Sequence, residues 1–175
     1  MTIYLLVPLL AVVGLLQATV VSRVTIWGVF PDLPLLLVVS WGLLRGSRQG
    51  LLWGFVAGII VDLFSGAPFG AATVSLMVVG FVAGLGENLV FRNLLLLLLT
   101  AFLATLVYDL LFLFMVQILA SPLPGTVQTV EWSGSLVRVI GPSAVVNALL
   151  GLLILGVMRA MDRRFRRQDT GLAGL

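Results

Sequence analysis

The feature that most constrains this chain is a long apolar segment that carries almost no charge. Residues 94–119 include one acidic side chain, Asp109, and no basic one. A helix needs about 20 such residues to cross a bilayer. Comparable segments recur along the chain, which is 61% hydrophobic and only 10% charged. Soluble domains contain about 25% charged residues, so this composition predicts an integral membrane protein.

The alternation of apolar segments and turn residues predicts an all-α bundle of six transmembrane helices. Gly, Pro and Arg cluster between the segments, as in residues 45–48, and such clusters commonly separate helices. The first segment is apolar throughout, so we expect a retained span and not a cleaved signal peptide. We divide the chain into a six-span domain, residues 1–160, and a basic tail, residues 161–175. The expected spans cover residues 3–21, 33–44, 51–64, 69–85, 94–119 and 136–158.

The distribution of arginine predicts the orientation, because cytoplasmic loops carry an excess of basic residues. All ten basic residues are Arg. With six spans and both termini in the cytoplasm, only Arg23 and Arg138 lie on the outer side. The other eight then lie inside: Arg45, Arg48, Arg92, Arg159, Arg163, Arg164, Arg166 and Arg167.

The basic tail predicts contacts with lipid and not with nucleic acid, although the net charge is +3. Half of the arginines lie next to the last span, and juxtamembrane clusters of this kind bind anionic headgroups. We assign the headgroup contacts to Arg163, Arg164, Arg166 and Arg167.

Two identical strings, Gly-Phe-Val-Ala-Gly, occur at residues 54–58 and 80–84. Small residues four positions apart allow helix backbones to approach closely. The pairs, including Gly54 and Gly58, are interpreted as packing sites within the bundle or as a docking face for a partner helix.

The two acidic residues within the expected spans, Asp62 and Asp109, lie towards the outer half of the bundle, where Gln17 and Asn147 could converge with them. Ionisable groups in a bilayer are rare and commonly functional. These four residues are expected to form either an interhelical hydrogen-bond network or a pocket for a ligand or ion. The loop at residues 121–134 and the tail are further candidate contact surfaces.

The residue types argue against an enzyme. The chain contains no Cys, His or Lys, and it has no phosphate-binding loop and no metal-ligand spacing. We predict no catalytic residue, no metal and no cofactor.

The first half of the chain resembles the MreD family of bacterial rod shape-determining proteins. The resemblance rests on Pro31-Asp32-Leu33 after a first span that contains Gln17, and on a glycine-rich string in the third span, residues 50–62, that ends in Asp62. A Gly/Pro turn to Gly70 follows. The second half agrees with the family in its span layout.

The resemblance implies a non-enzymatic membrane scaffold of the cell-wall elongation machinery in the bacterial cytoplasmic membrane. It implies as partners an MreC-like single-span coiled-coil protein, the wall synthases RodA and PBP2, and MreB filaments. It also implies a bundle similar to the substrate-binding S components of vitamin transporters. Pro31, Asp32 and Asp62 would then be structural or partner-binding residues. The alternatives are an S-component-like subunit that binds a small molecule and, third, a proton-coupled transporter.

Overall fold

Helices form all the regular elements in the part of the chain that the structure describes. This computed structural model describes residues 2–19, 28–87, 94–120 and 140–172. Each expected span overlaps one helix, and the all-α class is confirmed. The helices are α1, Thr2–Thr19; α2, Leu33–Arg45; α3, Ser47–Ser65; α4, Ala71–Leu85; α5, Leu94–Ala120; and α6, Gly141–Leu172.

Three segments in the described residues are long and apolar enough to cross a bilayer, namely Ser47–Ser65, Leu95–Leu119 and Gly141–Ala160. Helices α2 and α4 are apolar but contain only 13 and 15 residues. At a rise of about 1.5 Å per residue, both are shorter than a hydrocarbon layer of about 30 Å.

Helix α2 lies at the centre of the bundle. Every residue from Pro34 to Leu43 is buried, and α2 packs against α1, α3, α4, α5 and α6. Irregular backbone at membrane depth is tolerated where protein covers it. A short helix can therefore occupy this position, because residues 34–43 are covered by the surrounding helices and do not face lipid.

Tight turns connect α2, α3 and α4. Gly46 alone separates α2 from α3 and has a φ of 84°. Gly66 ends α3 with a φ of 67°, in the left-handed region. Glycine adopts this region without a steric penalty, so these two positions allow consecutive helices to reverse direction within a few residues.

Helices α3 and α4 form a hairpin in which glycines allow the two helix backbones to come into direct contact. A Cβ atom added to Gly54 would overlap the carbonyl group of Leu76, and one added to Gly58 would overlap the Cα atom of Thr73. Backbone atoms cannot move aside as a side chain can. The third span therefore carries its small residues on the face that contacts α4.

Helix α4 contributes glycines to the same interface from the other side. A Cβ atom on Gly80 would overlap the Gly50 carbonyl, and one on Gly84 would overlap Ser47. Gly42 of α2 approaches as well, since its Cβ would lie 2.7 Å from the Gly80 carbonyl oxygen. The two identical pentapeptides thus lie in one interface within the chain, but residues 54–58 pack against residues 72–77 of α4 and residues 80–84 pack against residues 46–50 at the start of α3.

Helix α6 extends past the end of the apolar segment. The sixth span was expected to end at residue 158, but the helix continues to Leu172. Residues 159–170 contain neither Gly nor Pro, and Arg, Met and Gln favour helix, so no stop signal precedes Gly171. Residues 136–139 of the expected span lie outside the described residues.

The outer surface of the bundle is apolar. Leu63, Leu95 and Leu153 are each about two-thirds exposed, and many other large apolar side chains on α1, α3, α4, α5 and α6 are also exposed. A soluble protein seldom shows such surface over most of its helices. Lipid is the environment that accommodates it without an unfavourable contact with water.

Candidate polar site at one end of the bundle

The segment that begins α2 is the point where polar groups from several helices meet. Asp32 is the N-cap of α2, and its Oδ1 atom accepts a hydrogen bond of 2.9 Å from the Leu35 amide. Pro34 lies in the first turn, where its missing N–H leaves no bond unmade. The Pro31-Asp32-Leu33 string therefore encodes a helix start.

Gln17 of α1 holds this segment with both ends of its side-chain amide. Its Nε2 atom donates to the Pro31 carbonyl at 2.8 Å, and its Oε1 atom accepts from the Leu33 amide at 3.2 Å. These backbone groups precede the helix or lie in its first turn, so they need partners from elsewhere. A single side chain thus ties the end of α1 to the start of α2.

Two further helices reach the same segment. The Oδ1 atom of Asn147 on α6 accepts from the Asp32 amide at 3.0 Å, and Asn147 is 1% exposed. The buried Tyr108 of α5 forms a side-chain hydrogen bond with the Asp32 carboxyl group. Residues 31–33 are consequently bound by α1, α5 and α6 as well as by α2 itself.

Asp109 lies beside this cluster and has its own partner. The Ser143 hydroxyl lies 2.8 Å from Asp109 Oδ2 and also 2.8 Å from the Ile140 carbonyl oxygen. A hydroxyl donates one proton, so it can serve only one acceptor at a time. The contact links α5 to the start of α6 and leaves Ser143 with a second acceptor if Asp109 is lost.

Asp62 caps the neighbouring helix α4. Its carboxylate accepts from the amides of Gly70, Ala72 and Thr73 at 2.9–3.0 Å, and from the Thr73 hydroxyl at 2.5 Å. Negative charge at a helix N-terminus is favourable because the N–H groups there point outwards. Asp62 is 5% exposed, so these bonds are shielded from water. The geometry is that of a structural cap.

The four predicted polar residues all lie towards one end of the bundle, but they do not line one pocket. Gln17 and Asn147 meet at residues 31–33, whereas Asp62 and Asp109 contact different partners. Their proposed contacts with other proteins stay predictions. The backbone of Arg163, Arg164, Arg166 and Arg167 belongs to α6, and their side chains lie outside the described part of the structure.

Sequence reasoning missed the hydroxyl partners of these groups. Thr73 carries a weak signal, because it follows a Gly/Pro turn and opens a helix. Ser143 likewise lies in the first turn of α6. Tyr108 has no comparable signal, since its partner Asp32 lies far away in the sequence and only tertiary packing brings them together.

An open cleft of about 370 Å³ lies next to the polar cluster, between α1, the start of α2 and the end of α3. Its walls include the polar residues Gln17, Asp32 and Ser65 and the aromatic residues Phe30 and Phe64. Within the described residues, no group of three or more His, Cys, Asp or Glu is arranged to hold a metal ion.

Removing one of the side chains that form hydrogen bonds to residues 31–33 is expected to destabilise the bundle modestly. Asn147→Ala and Gln17→Ala should each lower the free energy of unfolding by about 1 kcal/mol, the usual worth of an interhelical hydrogen bond. Because both side chains bind one short segment, the double variant should deviate from additivity by about 0.5 kcal/mol or more. SDS titration followed by tryptophan fluorescence measures both quantities.

Gln117→Ala is the matched control, since Gln117 is an exposed amide on α5. It should leave the unfolding curve unchanged. Strict additivity of the two single changes would contradict the idea that Gln17 and Asn147 act on one shared segment.

Helices of bilayer length, an apolar exterior and polar groups paired inside the bundle together define an α-helical integral membrane protein. A family model described as rod shape-determining protein MreD matches residues 1–161, so the chain belongs to the MreD family. Membership implies a role in determining rod shape. No curated protein and no solved structure matches the chain.

Proposed function

We propose that the protein is a non-enzymatic scaffold of the cell-wall elongation machinery in the bacterial cytoplasmic membrane. The match to the MreD family over residues 1–161 carries this proposal. The internal use of the polar groups supports it, because Gln17, Asp62 and Asn147 each bind backbone groups that begin a helix. Such residues are suited to fixing the shape of a docking surface and not to chemistry.

The proposed partners are an MreC-like single-span coiled-coil protein, the wall synthases RodA and PBP2, and MreB filaments. Through these contacts the protein would regulate peptidoglycan synthesis. Exposed apolar helix faces support docking through the spans, since partner spans can replace lipid there. The outer loop at 121–134 lies outside the described residues and stays a predicted contact surface.

A pulldown from the native membrane tests the proposal. The tagged protein, extracted in mild detergent, should retain a single-span coiled-coil protein and the wall synthases, as identified by mass spectrometry. A second function, a small-molecule subunit similar to a transporter S component, is favoured by the cleft beside Gln17 and Asp32. Recovery of a membrane coupling subunit with paired ATPases would support that function and contradict the scaffold.

We also propose a six-span topology with both termini in the cytoplasm. The absence of Cys from the sequence allows single-cysteine variants to be labelled without background. A membrane-impermeant maleimide should label Ser133→Cys in intact spheroplasts and Thr170→Cys only after permeabilisation. Labelling of Thr170→Cys in intact spheroplasts would contradict the topology.

A further inference from the structure

The cleft between α1, α2 and α3 lies at the ends of its helices. Gln17 is in the last turn of α1, Asp32 immediately precedes α2, and Phe64 and Ser65 are the last two residues of α3. In a bundle that crosses the bilayer, helix ends lie near the headgroup layer. A cleft at this depth is open to lipid headgroups as well as to water.

The polar lining of the cleft favours a ligand that donates hydrogen bonds and carries positive charge. Asp32 is the charged residue among the described residues that line it. A carboxylate has about four acceptor positions, and the bonds from Leu35 and Tyr108 fill only part of them. Gln17 Oε1 likewise retains a second lone pair beyond its bond to Leu33.

Two aromatic side chains favour a cation in the same place. Phe30 and Phe64 line the cleft and are 47% and 51% exposed. An ammonium group over an aromatic face is attracted by about 0.5–1 kcal/mol at exposed sites, and by more where water is excluded.

The remaining features fit a zwitterionic lipid better than a free amine. The Ser65 oxygen accepts from the Ala67 amide at 3.3 Å, so its proton is available to a phosphate oxygen. Leu16 and Leu63, which are next in sequence to the lining residues Gln17 and Phe64, are exposed and apolar, as acyl chains require. A volume of about 370 Å³ accommodates a headgroup.

We propose that this cleft binds the primary ammonium headgroup of a zwitterionic phospholipid, with Asp32 accepting its hydrogen bonds. The proposal does not depend on the scaffold function, since either result of the pulldown is compatible with a bound lipid.

The test measures lipid retention by the full-length protein. The protein is equilibrated in nanodiscs with equal mole fractions of phosphatidylethanolamine, phosphatidylcholine and phosphatidylglycerol, and retained lipids are counted by native mass spectrometry. Phosphatidylethanolamine should be enriched about tenfold over phosphatidylcholine, the ratio that a hydrogen bond to a charged group typically gives. Asp32→Asn should bring this ratio close to one, while the control Asp109→Asn, outside the cleft, should retain it.

Asp32→Asn is a mild change because Asn caps a helix about as well as Asp. A second measurement needs no variant. Retention by the wild-type protein should fall with each methyl group added to the ethanolamine nitrogen, because each removes an N–H donor. Equal retention across the methylation series, an Asp32→Asn ratio like that of the wild type, or preferential retention of phosphatidylglycerol would each overturn the proposal.

Discussion

Gly54→Ala is expected to destabilise the protein by about 3 kcal/mol or more, although it adds a single methyl group. The new Cβ would overlap the carbonyl group of Leu76 and approach the Cα atom of Met77. No rotamer change relieves a clash with backbone, so α3 and α4 must separate along their length. SDS titration with tryptophan fluorescence should show earlier unfolding, and Trp53, which immediately precedes Gly54, reports from the affected helix.

Gly156→Ala is the matched control. Gly156 lies in α6, is exposed, and would have nothing within 4 Å of an added Cβ. Because Ala favours helix over Gly by up to about 1 kcal/mol, this variant should be as stable as the wild type or slightly more stable. A similar loss of stability for both variants would mean that the close contact between α3 and α4 is not what the glycine at position 54 provides.

The sequence predicted the helices well because a helix in lipid requires a long and nearly uninterrupted apolar segment. Five of the six expected spans agree with helix boundaries to within about four residues at each end, an ordinary error for such boundaries. The exception is α6, whose basic continuation to Leu172 is helical in propensity but not apolar. Apolar patterning finds the membrane-embedded part of a helix and not its extension into water.

The packing of the helices was less predictable. The glycine pairs at 54–58 and 80–84 indicated close contacts but not their partners, and Gly50 was not recognised as part of the same face. Periodicity shows which residues share a side of a helix. Which helix they meet depends on the three-dimensional arrangement, for which a single sequence carries no signal.

The polar site likewise includes features that the local sequence predicts and contacts that only the tertiary structure reveals. The Asp32 cap could be anticipated from local sequence, since an acidic N-cap followed by Pro in the first turn is a common helix start. The ties from Gln17 and Asn147 join residues far apart in sequence. Both side chains appeared only as embedded polar groups, because local patterning does not identify which unpaired backbone groups they satisfy.

Asp62→Ala is expected to destabilise the protein by about 3 kcal/mol or more. It leaves the amides of Gly70, Ala72 and Thr73 and the Thr73 hydroxyl without their buried acceptor. An unsatisfied buried group costs about 1–3 kcal/mol, and part of this loss is recovered if α4 frays at its first turn. Hydrogen exchange should therefore accelerate at the Ala72 and Thr73 amides by far more than in α6.

Two further variants distinguish the helix-capping hydrogen bonds of Asp62 from the effect of a negative charge inside the bundle. Asp62→Asn keeps one acceptor oxygen but turns an NH₂ group towards the N–H donors. Its free energy of unfolding should therefore lie between that of the wild type and that of Asp62→Ala. Asp109→Ala removes another acidic side chain, but the Ser143 hydroxyl can donate to the Ile140 carbonyl instead. The free energy of unfolding should therefore fall by only about 1 kcal/mol. Unchanged exchange at the start of α4 in Asp62→Ala would show that this helix forms without the cap, and the role of Asp62 would then lie in contacts with partners.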